Sequence, residues 1–357
     1  MRVTFKGKRI TSVIGILPET VSYFDDEVNN YTFPAKQTMR LKKVMGFESH
    51  RLAKANSFAS DFCLYGISYL LQNNVITKEE IGAILVVTLS PDYFLPQISN
   101  IVQGELGLSE DVLCLDIAQG CCGYLIGLME SFMLLDRING KKVVLCNVDV
   151  LSKKVSNKDR NDFPLIGDGA AITIIENDSN AQDIYYLMKM DGKRRNVLRI
   201  PAGGFRQPNT METGKLYNVG DGNLRALDHM HMDGSEVFNF VQREVPPCID
   251  EILSYAGITK DEINYFLFHQ PNKFMLKKLR EKLQIDENKF FNNLVTKYGN
   301  SSGASIPLVL TDNLAEKMEN DDLHTCCLSA FGSGLAWGSM IINLGKMKFC
   351  RLIESTL

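Results

Sequence analysis

One short pattern occurs twice in the chain, and this internal repeat constrains the fold more than any other feature of the sequence. The segment ITKEEIGAILVVTLSP begins at Ile76, and ITKDEINYFLFHQPN begins 182 residues later, at Ile258. Both copies carry a Thr-x-x-Glu capping box, Thr77 to Glu80 and Thr259 to Glu262, which predicts a short helical turn before an apolar strand. Self-similarity at a fixed offset is typical of a chain built from related units.

Predicted strands and helices alternate along the chain. Short continuous apolar runs are typical of strands covered on both faces, and apolar spacing of three and four residues is typical of helices. The predicted strands are 84–88, 112–117, 143–150 and 170–175, and the predicted helices are 58–71 and 123–135. This alternation predicts an α/β fold with buried parallel strands, which the repeat divides into two similar halves, 1–182 and 183–357.

The offset of the repeat also relates two turns. It places Cys121 opposite Gly303, and the strand that begins at Val143 opposite Thr325. We therefore expect helices in the two halves to begin at equivalent positions and to face one another.

Composition argues against several classes of function. A formal net charge of -3 gives no basic field, so we expect no nucleic-acid partner. No stretch approaches the roughly 20 apolar residues of a membrane span, and the first residues indicate a strand rather than an export signal. The nine cysteines are scattered without metal-type spacing, which favours reduced thiols in the cytoplasm and no metal site.

Two adjacent cysteines, Cys121 and Cys122, lie between a predicted strand and a predicted helix. The macrodipole at a helix start lowers a thiol pKa from its usual value of about 8.5, so either thiol could be a nucleophile. Free cysteine is also a common core residue, and the helical periodicity does not distinguish the two positions. The local sequence leaves both the choice of cysteine and the core interpretation open.

Three further stretches contain candidate functional residues. His269 ends an apolar strand, where α/β proteins place their sites, although it could also be a structural cap. Asn300 lies in a turn of small residues and is most simply a helix cap. The Gly-rich stretch from Ser329 to Ser339 is typical either of close backbone approach to a ligand or of a tight turn.

In combination, these stretches resemble the β-ketoacyl-ACP synthase III family of the thiolase superfamily. Four patterns carry the resemblance in this order: DxAxxCxGY from Asp116, HQxN from His269, GNxSxxSxP from Gly299 and FGxGxxWGS from Phe331. Smaller matches, such as GILPE near the start, GDGAA from Gly167 and GSEVFNF from Gly234, extend the resemblance nearly from end to end. It implies a five-layered αβαβα fold of two pseudo-equivalent halves, usually assembled as a homodimer.

The resemblance also implies a reaction, the decarboxylative Claisen condensation. Cys121 would be the nucleophile that takes an acyl group from acyl-CoA or acyl-ACP, and Cys122 would be a packing residue. Backbone N–H groups of Cys121 and Ser333 would form the oxyanion hole. His269 and Asn300 would stabilise the enolate formed from a malonyl thioester, expected to be malonyl-ACP, with no cofactor beyond the CoA or phosphopantetheine of the substrates.

The segments that bind the donor in this family differ here. Arg40 and Val44 stand where the family has a Trp and an Arg that hold the CoA adenine, whereas Arg160 matches a second adenine-contacting arginine. Phe274 replaces a further family arginine, and we assign Asn272 of the HQxN match to the same substrate site. These departures favour a specialised acyl group or an acyl-ACP donor over standard acetyl-CoA priming.

Two other groups of residues have alternative interpretations. Lys273, Lys277 and Arg280 share one face of a predicted helix, which is either a solvated face or a docking site for an acidic acyl carrier protein. Phe94 and Leu95 match a region that closes the acyl pocket of the partner subunit in the family, but bulky loop residues are often only core.

The product pathway and two other functions stay open at this stage. A β-ketoacyl product could serve fatty acid biosynthesis or a specialised acyl or polyketide pathway in lipid metabolism. The same fold could transfer the acyl group from cysteine to a hydroxyl or an amine. It could also be a non-catalytic partner subunit, although this chain retains cysteine, histidine and asparagine.

Overall fold

A computed structural model describes residues 1–138, 140–320 and 322–357. The strands in these ranges are β1 Arg2–Phe5, β2 Lys8–Pro18, β3 Val21–Tyr23, β4 Ser49–Arg51, β5 Ile81–Thr88, β6 Leu113–Ala118, β7 Lys142–Asp149, β8 Gly169–Asn177, β9 Ile184–Met190, β10 Leu198–Arg199, β11 Tyr217–Asn218, β12 Leu224–Arg225, β13 His231–Met232, β14 Tyr265–Phe268, β15 Leu323–Gly332, β16 Ala336–Gly345 and β17 Phe349–Ser355. The α-helices are α1 Phe24–Glu27, α2 Ala35–Met45, α3 Ala59–Gln72, α4 Ile98–Glu105, α5 Gly123–Leu135, α6 Gly234–Ala256, α7 Lys273–Leu283, α8 Leu294–Tyr298 and α9 Ser305–Glu319.

Two large mixed sheets organise the molecule. The first has six strands in the order β17-β2-β8-β7-β5-β6, and the second has five in the order β1-β9-β16-β15-β14. Parallel pairing joins β5 to both β6 and β7, and it also joins β14 to β15. Three of the predicted strands, β7, β5 and β6, therefore form a parallel group at one end of the first sheet. The prediction of a parallel strand is wrong for 170–175, because β8 pairs antiparallel with both β2 and β7.

Helices cover both sheets and also separate them. α3 and α4 pack on the outer face of the first sheet, and α6, which also packs on α7, covers the outer face of the second. α5 and α9 lie between the sheets and contact strands of both. These contacts give the order helix, sheet, helix, sheet, helix, which confirms the five-layered αβαβα fold.

The internal repeat is visible in the structure. Both capping boxes form, with the Thr77 N–H donating to Glu80 and the Thr259 N–H donating to Glu262, each at 2.8 Å. The two middle-layer helices, α5 and α9, begin 182 residues apart. A Cβ built on Gly123 would lie 3.8 Å from the Gly303 Cα, so the two helix starts face one another as predicted.

The two terminal strands do not follow the division of the chain into halves. Residues 182 and 183 lie between β8, in the first sheet, and β9, in the second. β1 nevertheless pairs with β9 in the second sheet, and β17 pairs with β2 in the first. Each sheet thus contains one strand from the opposite end of the chain.

A short backbone bridge joins the two halves beside the turn that leads into α9. The Asn300 N–H donates to the Leu165 carbonyl at 2.7 Å, and the Gly167 N–H donates to the Asn300 carbonyl at 3.2 Å. The two segments approach closely because both Gly167 and Gly299 lack a Cβ. Gly299 also has a φ of +79°, a conformation that favours glycine.

In the described part of the chain, no helix is both long enough and apolar enough to cross a bilayer.

Substitution of Gly167 tests this close approach. A Cβ at Gly167 would overlap the carbonyl oxygen of Tyr298, whereas a Cβ at Gly192 would meet no atom within 4 Å. We expect Gly167→Ala to lower the free energy of unfolding by about 1–3 kcal/mol, because overpacked sites force the backbone to move. Gly192→Ala is the control and should change it by less than about 0.5 kcal/mol in urea unfolding. Equal effects would show that the bridge tolerates a wider spacing.

Candidate active site

A cavity of about 660 Å³ lies between the two halves and is lined by Cys121, His269 and Asn300. Cys121 lies in the turn between β6 and α5, and His269 directly follows β14. Asn300 lies in the turn before α9, at the bridge between the halves. Strand ends and helix starts from both halves therefore bring together three residues that are far apart in the sequence.

The two adjacent cysteines have different surroundings. Cys121 is partly exposed and lines the cavity, whereas Cys122 is 1% exposed and its sulfur lies 3.3 Å from the Ala336 carbonyl oxygen. Gly332 makes room for the Cys121 thiol, because a Cβ there would lie 2.6 Å from its sulfur. The structure thus places Cys121 where a substrate can reach it and Cys122 in the core.

The prediction that the helix start lowers the pKa of the Cys121 thiol is wrong. Burial, with a smaller contribution from the negative charge of Asp149, raises the pKa of the Cys121 thiol to about 11. Hydrogen bonds from the backbone N–H groups of Ser333 and Cys121 and from the Ser302 hydroxyl oppose this rise. Desolvation outweighs these hydrogen bonds, so Cys121 rests as a neutral thiol.

The backbone N–H groups of Cys121 and Ser333 are also the two that are predicted to form the oxyanion hole. Both Ser333 and Cys121 direct their N–H groups at the reactive sulfur. In acyl transfer, the oxyanion forms on the carbonyl oxygen of the acyl group that the sulfur attacks. The assignment of these two donors to an oxyanion hole stays a prediction.

His269 is held as a neutral imidazole. It is 1% exposed, and burial lowers the pKa of its side chain to about 3, against a weaker opposing hydrogen bond with the Ser302 backbone. Its Nδ1 lies 2.7 Å from the Ser305 hydroxyl. If this hydroxyl donates to Nδ1, the imidazole proton is on Nε2, which can then donate into the cavity.

The Asn300 side chain is oriented by its own turn. Its Oδ1 accepts a hydrogen bond from the Ser302 N–H at 3.0 Å. The amide oxygen is thereby occupied, and the Nδ2 group is left to donate to a molecule in the cavity that Asn300 lines. His269 and Asn300 can together supply two neutral donors near the thiol of Cys121.

Sequence reasoning missed three residues of this site. Ser305 was part of a matched pattern but had no role, Ser302 adopts a left-handed φ of +52°, and Asp149 is a buried carboxylate near the thiol. Burial raises the pKa of Asp149 to about 6. A signal for Ser305 was available, since it lies five residues after Asn300 at the start of the next helix.

Two predicted substrate residues line the cavity. The Phe274 ring stacks on Phe238 with a centroid distance of 5.6 Å and an angle of 23°. Asn272 caps α7, because its Oδ1 accepts the Met275 N–H at 2.7 Å. The Asn272 oxygen is therefore engaged in the helix start, and the cavity is apolar where the family has an arginine.

The predicted cationic residues lie outside the cavity lining. Arg40 is exposed on α2, while Arg160 is 8% exposed and stacks on Phe33 with its guanidinium carbon 3.6 Å from the ring centroid. Lys273 and Lys277 are exposed on α7. Arg280 is half-buried, and its Nη2 lies 3.7 Å from the Glu287 carboxylate. These residues surround the site rather than forming its wall.

Phe94 and Leu95 do not line this cavity. They are 73% and 82% exposed, and the Phe94 ring packs on that of Phe205 at a centroid distance of 5.4 Å. The core interpretation of these two residues is therefore wrong within one chain. Their assignment to an acyl pocket stays a prediction.

The described residues contain no group of three or more His, Cys, Asp or Glu side chains that could hold a metal ion. The side chains that line the cavity include a thiol, an imidazole and an amide.

A thiol, a neutral imidazole and an amide in a five-layered αβαβα fold define a condensing enzyme of the thiolase superfamily. The model of 3-oxoacyl-[acyl-carrier-protein] synthase III matches residues 115–192, and its C-terminal counterpart matches residues 253–344. The chain belongs to this family of condensing, acyl-transferring enzymes.

Individual relatives agree with this assignment. The chain is 32% identical over 309 residues to a β-ketoacyl-[acyl-carrier-protein] synthase III of Clostridium tetani, covering 85% of this chain and 89% of that protein. It is 30% identical to the enzyme of the same name from Trichormus variabilis, over 95% of this chain and 99% of the other. A crystal structure of a 3-oxoacyl-(acyl-carrier protein) synthase from Burkholderia xenovorans superposes with a TM-score of 0.91 at 30% identity, covering 99% of both chains.

The pH dependence of alkylation tests the state of Cys121. Because the pKa of this thiol is raised to about 11, its thiolate fraction grows about tenfold per pH unit between pH 8 and 10. We expect the rate of iodoacetamide addition at Cys121, followed by peptide mass spectrometry, to rise over this whole range. A plateau near pH 8 would instead indicate a thiol activated by the helix. Cys121→Ala identifies labelling at other cysteines.

Proposed function

We propose that the protein catalyses decarboxylative Claisen condensation of an acyl group on Cys121 with a malonyl thioester, expected to be malonyl-ACP. The product is a β-ketoacyl thioester for fatty acid biosynthesis or for a specialised acyl or polyketide pathway. The observation that carries this proposal is the convergence of Cys121, neutral His269 and the Asn300 amide on one cavity.

The first half-reaction loads the enzyme. The Cys121 sulfur attacks the carbonyl carbon of an acyl-CoA or acyl-ACP, and the N–H groups of Cys121 and Ser333 receive the oxyanion. The bond to the donor sulfur then breaks, and the departing thiolate takes up the proton that Cys121 loses. Since the free thiol has a high pKa, attack and deprotonation are expected to occur together.

The second half-reaction releases CO2 from the malonyl thioester. The electron pair of the broken C–C bond moves onto the thioester oxygen. This oxygen accepts hydrogen bonds from His269 Nε2–H and Asn300 Nδ2–H. A histidine with a pKa near 3 donates this hydrogen bond without protonating the carbanion. Loss of one such donor typically costs about 3 kcal/mol of transition-state stabilisation. The carbanion then attacks the acyl carbonyl carbon, the bond to the Cys121 sulfur breaks, and the Cys121 thiolate takes up a proton from water.

The walls of the site support acyl-ACP rather than free CoA as the donor. Phe33 covers one face of the Arg160 guanidinium, and Asp221 lies 3.5 Å from its Nη2. Val44 and Phe274 supply no charge at the other positions discussed above. CoA carries several phosphate charges that these side chains would not neutralise, whereas a carrier protein brings its own docking surface.

A basic surface beside the cavity supports docking of an acidic carrier protein. Lys273 and Lys277 are exposed on α7, which packs against α2. α2 exposes three more cations, Lys36, Arg40 and Lys43. Side chains from both helices, including Met45 and Phe274, line the cavity, so a carrier bound to this surface could deliver its phosphopantetheine arm to Cys121.

Homodimer formation belongs to the same proposal. Phe94, Leu95 and Phe205 leave an apolar surface exposed, and Leu113 on the edge strand β6 is 44% exposed. Exposed apolar side chains and an exposed strand edge are both typical of an interface. We expect a second copy of this chain to cover it and to bring Phe94 and Leu95 to the partner's acyl pocket.

Two other functions are less well supported. Transfer of the acyl group to a hydroxyl or an amine would not need the Asn300 amide, whose oxygen is fixed by Ser302 so that its nitrogen can donate. A non-catalytic partner subunit would not need an accessible Cys121 or a neutral His269 in the same cavity.

Acyl transfer can be measured directly. Incubation with acyl-ACP should add one acyl mass to Cys121, and malonyl-ACP should then remove it with release of CO2. Cys121→Ala should abolish the adduct, whereas Cys122→Ala should retain it, because Cys122 packs in the core. A panel of acyl chain lengths would define the pocket. Turnover of the acyl enzyme without CO2 would favour transfer to a hydroxyl or an amine.

The docking surface predicts a charge effect on the carrier substrate. We expect Lys273→Gln/Lys277→Gln to raise the apparent KM for acyl-ACP by about tenfold at low salt, with a smaller effect at high salt, because exposed charges are screened. Lys278→Gln removes an exposed charge that pairs with Glu281 on the same helix and should leave KM nearly unchanged. Equal effects of the two substitutions would place the docking surface elsewhere.

A further inference from the structure

A buried histidine–glutamate pair lies behind Asn300 and has no part in the proposed reaction. His50, on β4, is 1% exposed, and Glu27, at the end of α1, is 4% exposed. The His50 Nε2 lies 2.6 Å from Glu27 Oε1. Ser22 and Tyr31 donate their hydroxyl hydrogens to the same carboxylate. Such a pair offers little stability over an apolar pair of the same size, so its presence suggests another role.

The hydrogen bonds fix which way the His50 ring points its protons. Nδ1 lies 2.5 Å from the Ile166 carbonyl oxygen, which can only accept. A second proton lies between His50 Nε2 and Glu27 Oε1, bound either to the nitrogen or to the oxygen. In both cases Nδ1–H donates to Ile166, so the Ile166 carbonyl fixes the tautomer of His50 and Glu27 holds the opposite edge of the ring.

Ile166 is the residue paired with Asn300 in the bridge between the halves. Its neighbours Leu165 and Gly167 make the two backbone hydrogen bonds to Asn300. His50 therefore holds the middle of the segment to which the Asn300 backbone is attached. A Cβ on Gly299 would lie 2.9 Å from the His50 Cβ, so the two segments are also in close contact.

The strand that carries His50 holds both sides of this bridge. The Arg51 carbonyl accepts the Asp168 N–H at 2.8 Å, and the Ser49 hydroxyl donates to the Lys297 carbonyl at 2.9 Å. The Phe163 ring packs edge-on against the His50 ring, with centroids 5.2 Å apart. Three consecutive residues of β4 thus bind the segments on either side of the Asn300 turn.

From these contacts we propose that Glu27 and His50 are positioning residues for Asn300, which they act on through the Ile166 backbone. The inference rests on the proposed function, because Asn300 matters only in the malonyl half-reaction. Its distinguishing consequence is that disruption of the pair slows CO2 release and leaves acylation of Cys121 unchanged.

The variant Glu27→Leu/His50→Phe tests this directly. It removes the Glu27 carboxyl and the His50 imidazole together, so neither polar group is left buried without its partner. The approximate size of both side chains is retained. We expect release of CO2 from malonyl-ACP by the acyl enzyme to fall at least about tenfold, because small displacements of a catalytic group are costly. Acylation of Cys121, followed by mass, should stay within about twofold of the native rate.

Glu27→Gln is the matched control. Its amide N–H can donate to His50 Nε2, which retains Nδ1–H on Ile166, so CO2 release should stay within about threefold of the native rate. If the double variant does not fold, Glu27→Leu alone removes the hydrogen-bond partner that holds the Nε2 edge of the His50 ring, and it should show the same selective loss. A folded variant with native CO2 release, or one in which both half-reactions fall together, would overturn the inference.

A second measurement separates this inference from the proposed function. Amide hydrogen exchange at Asn300 and Gly167 reports the bridge itself, and we expect it to accelerate at least about tenfold in the double variant but not in Glu27→Gln. Absence of CO2 release by the native protein would count against the proposed reaction alone. Unchanged exchange at these two amides would count against positioning by Glu27 and His50.

Discussion

The site depends on one short contact, the backbone bridge between Ile166 and Asn300. The first half contributes the segment around Ile166, and the second contributes the turn that begins at Gly299. Two hydrogen bonds, made by Leu165 and Gly167, fix the position of Asn300 relative to the half that carries Cys121. The distance between the thiol and its amide partner is therefore a property of how the two halves meet.

The chemistry of the cavity results from exclusion of water rather than from charge. Burial holds the Cys121 thiol protonated and the His269 imidazole neutral, although both groups titrate close to pH 7 or 8 in water. A neutral thiol resists premature alkylation and oxidation, since the thiolate is the reactive form. A neutral imidazole is also the form that donates a hydrogen bond to an enolate without releasing a proton to it. Both properties follow from placing the site between two packed layers.

Much of the fold was predictable because short local sequence patterns mark the elements of the repeat. Capping boxes at Thr77 and Thr259 define the starts of equivalent turns, and the apolar helix from Gly123 to Leu135 has the bounds that its periodicity predicts. The three residues of the cavity could be placed together only through the resemblance of their motifs to a known family. Local sequence could not choose between Cys121 and Cys122, since both have helical apolar neighbours and only tertiary packing buries one of them.

Other features depend on contacts between distant segments, and sequence could not supply them. The pKa of Cys121 reflects desolvation in the folded protein, which outweighs the hydrogen bonds that the sulfur accepts. The stacking of Arg160 on Phe33 and the pairing of His50 with Glu27 join residues whose partners carry no motif. Asn272 satisfies a family pattern but caps a helix here, because the same amide oxygen serves either purpose.

The exchange of terminal strands has a further consequence for the two halves. Residues 1–182 without β17 would leave the long strand β2 with an unpaired edge, and residues 183–357 without β1 would do the same to β9. Exposed strand edges favour association with other chains. The two halves thus have similar folds, but each needs a strand from the other to cover the edge of its sheet. During synthesis, the edge of β2 is therefore uncovered until β17 has been made.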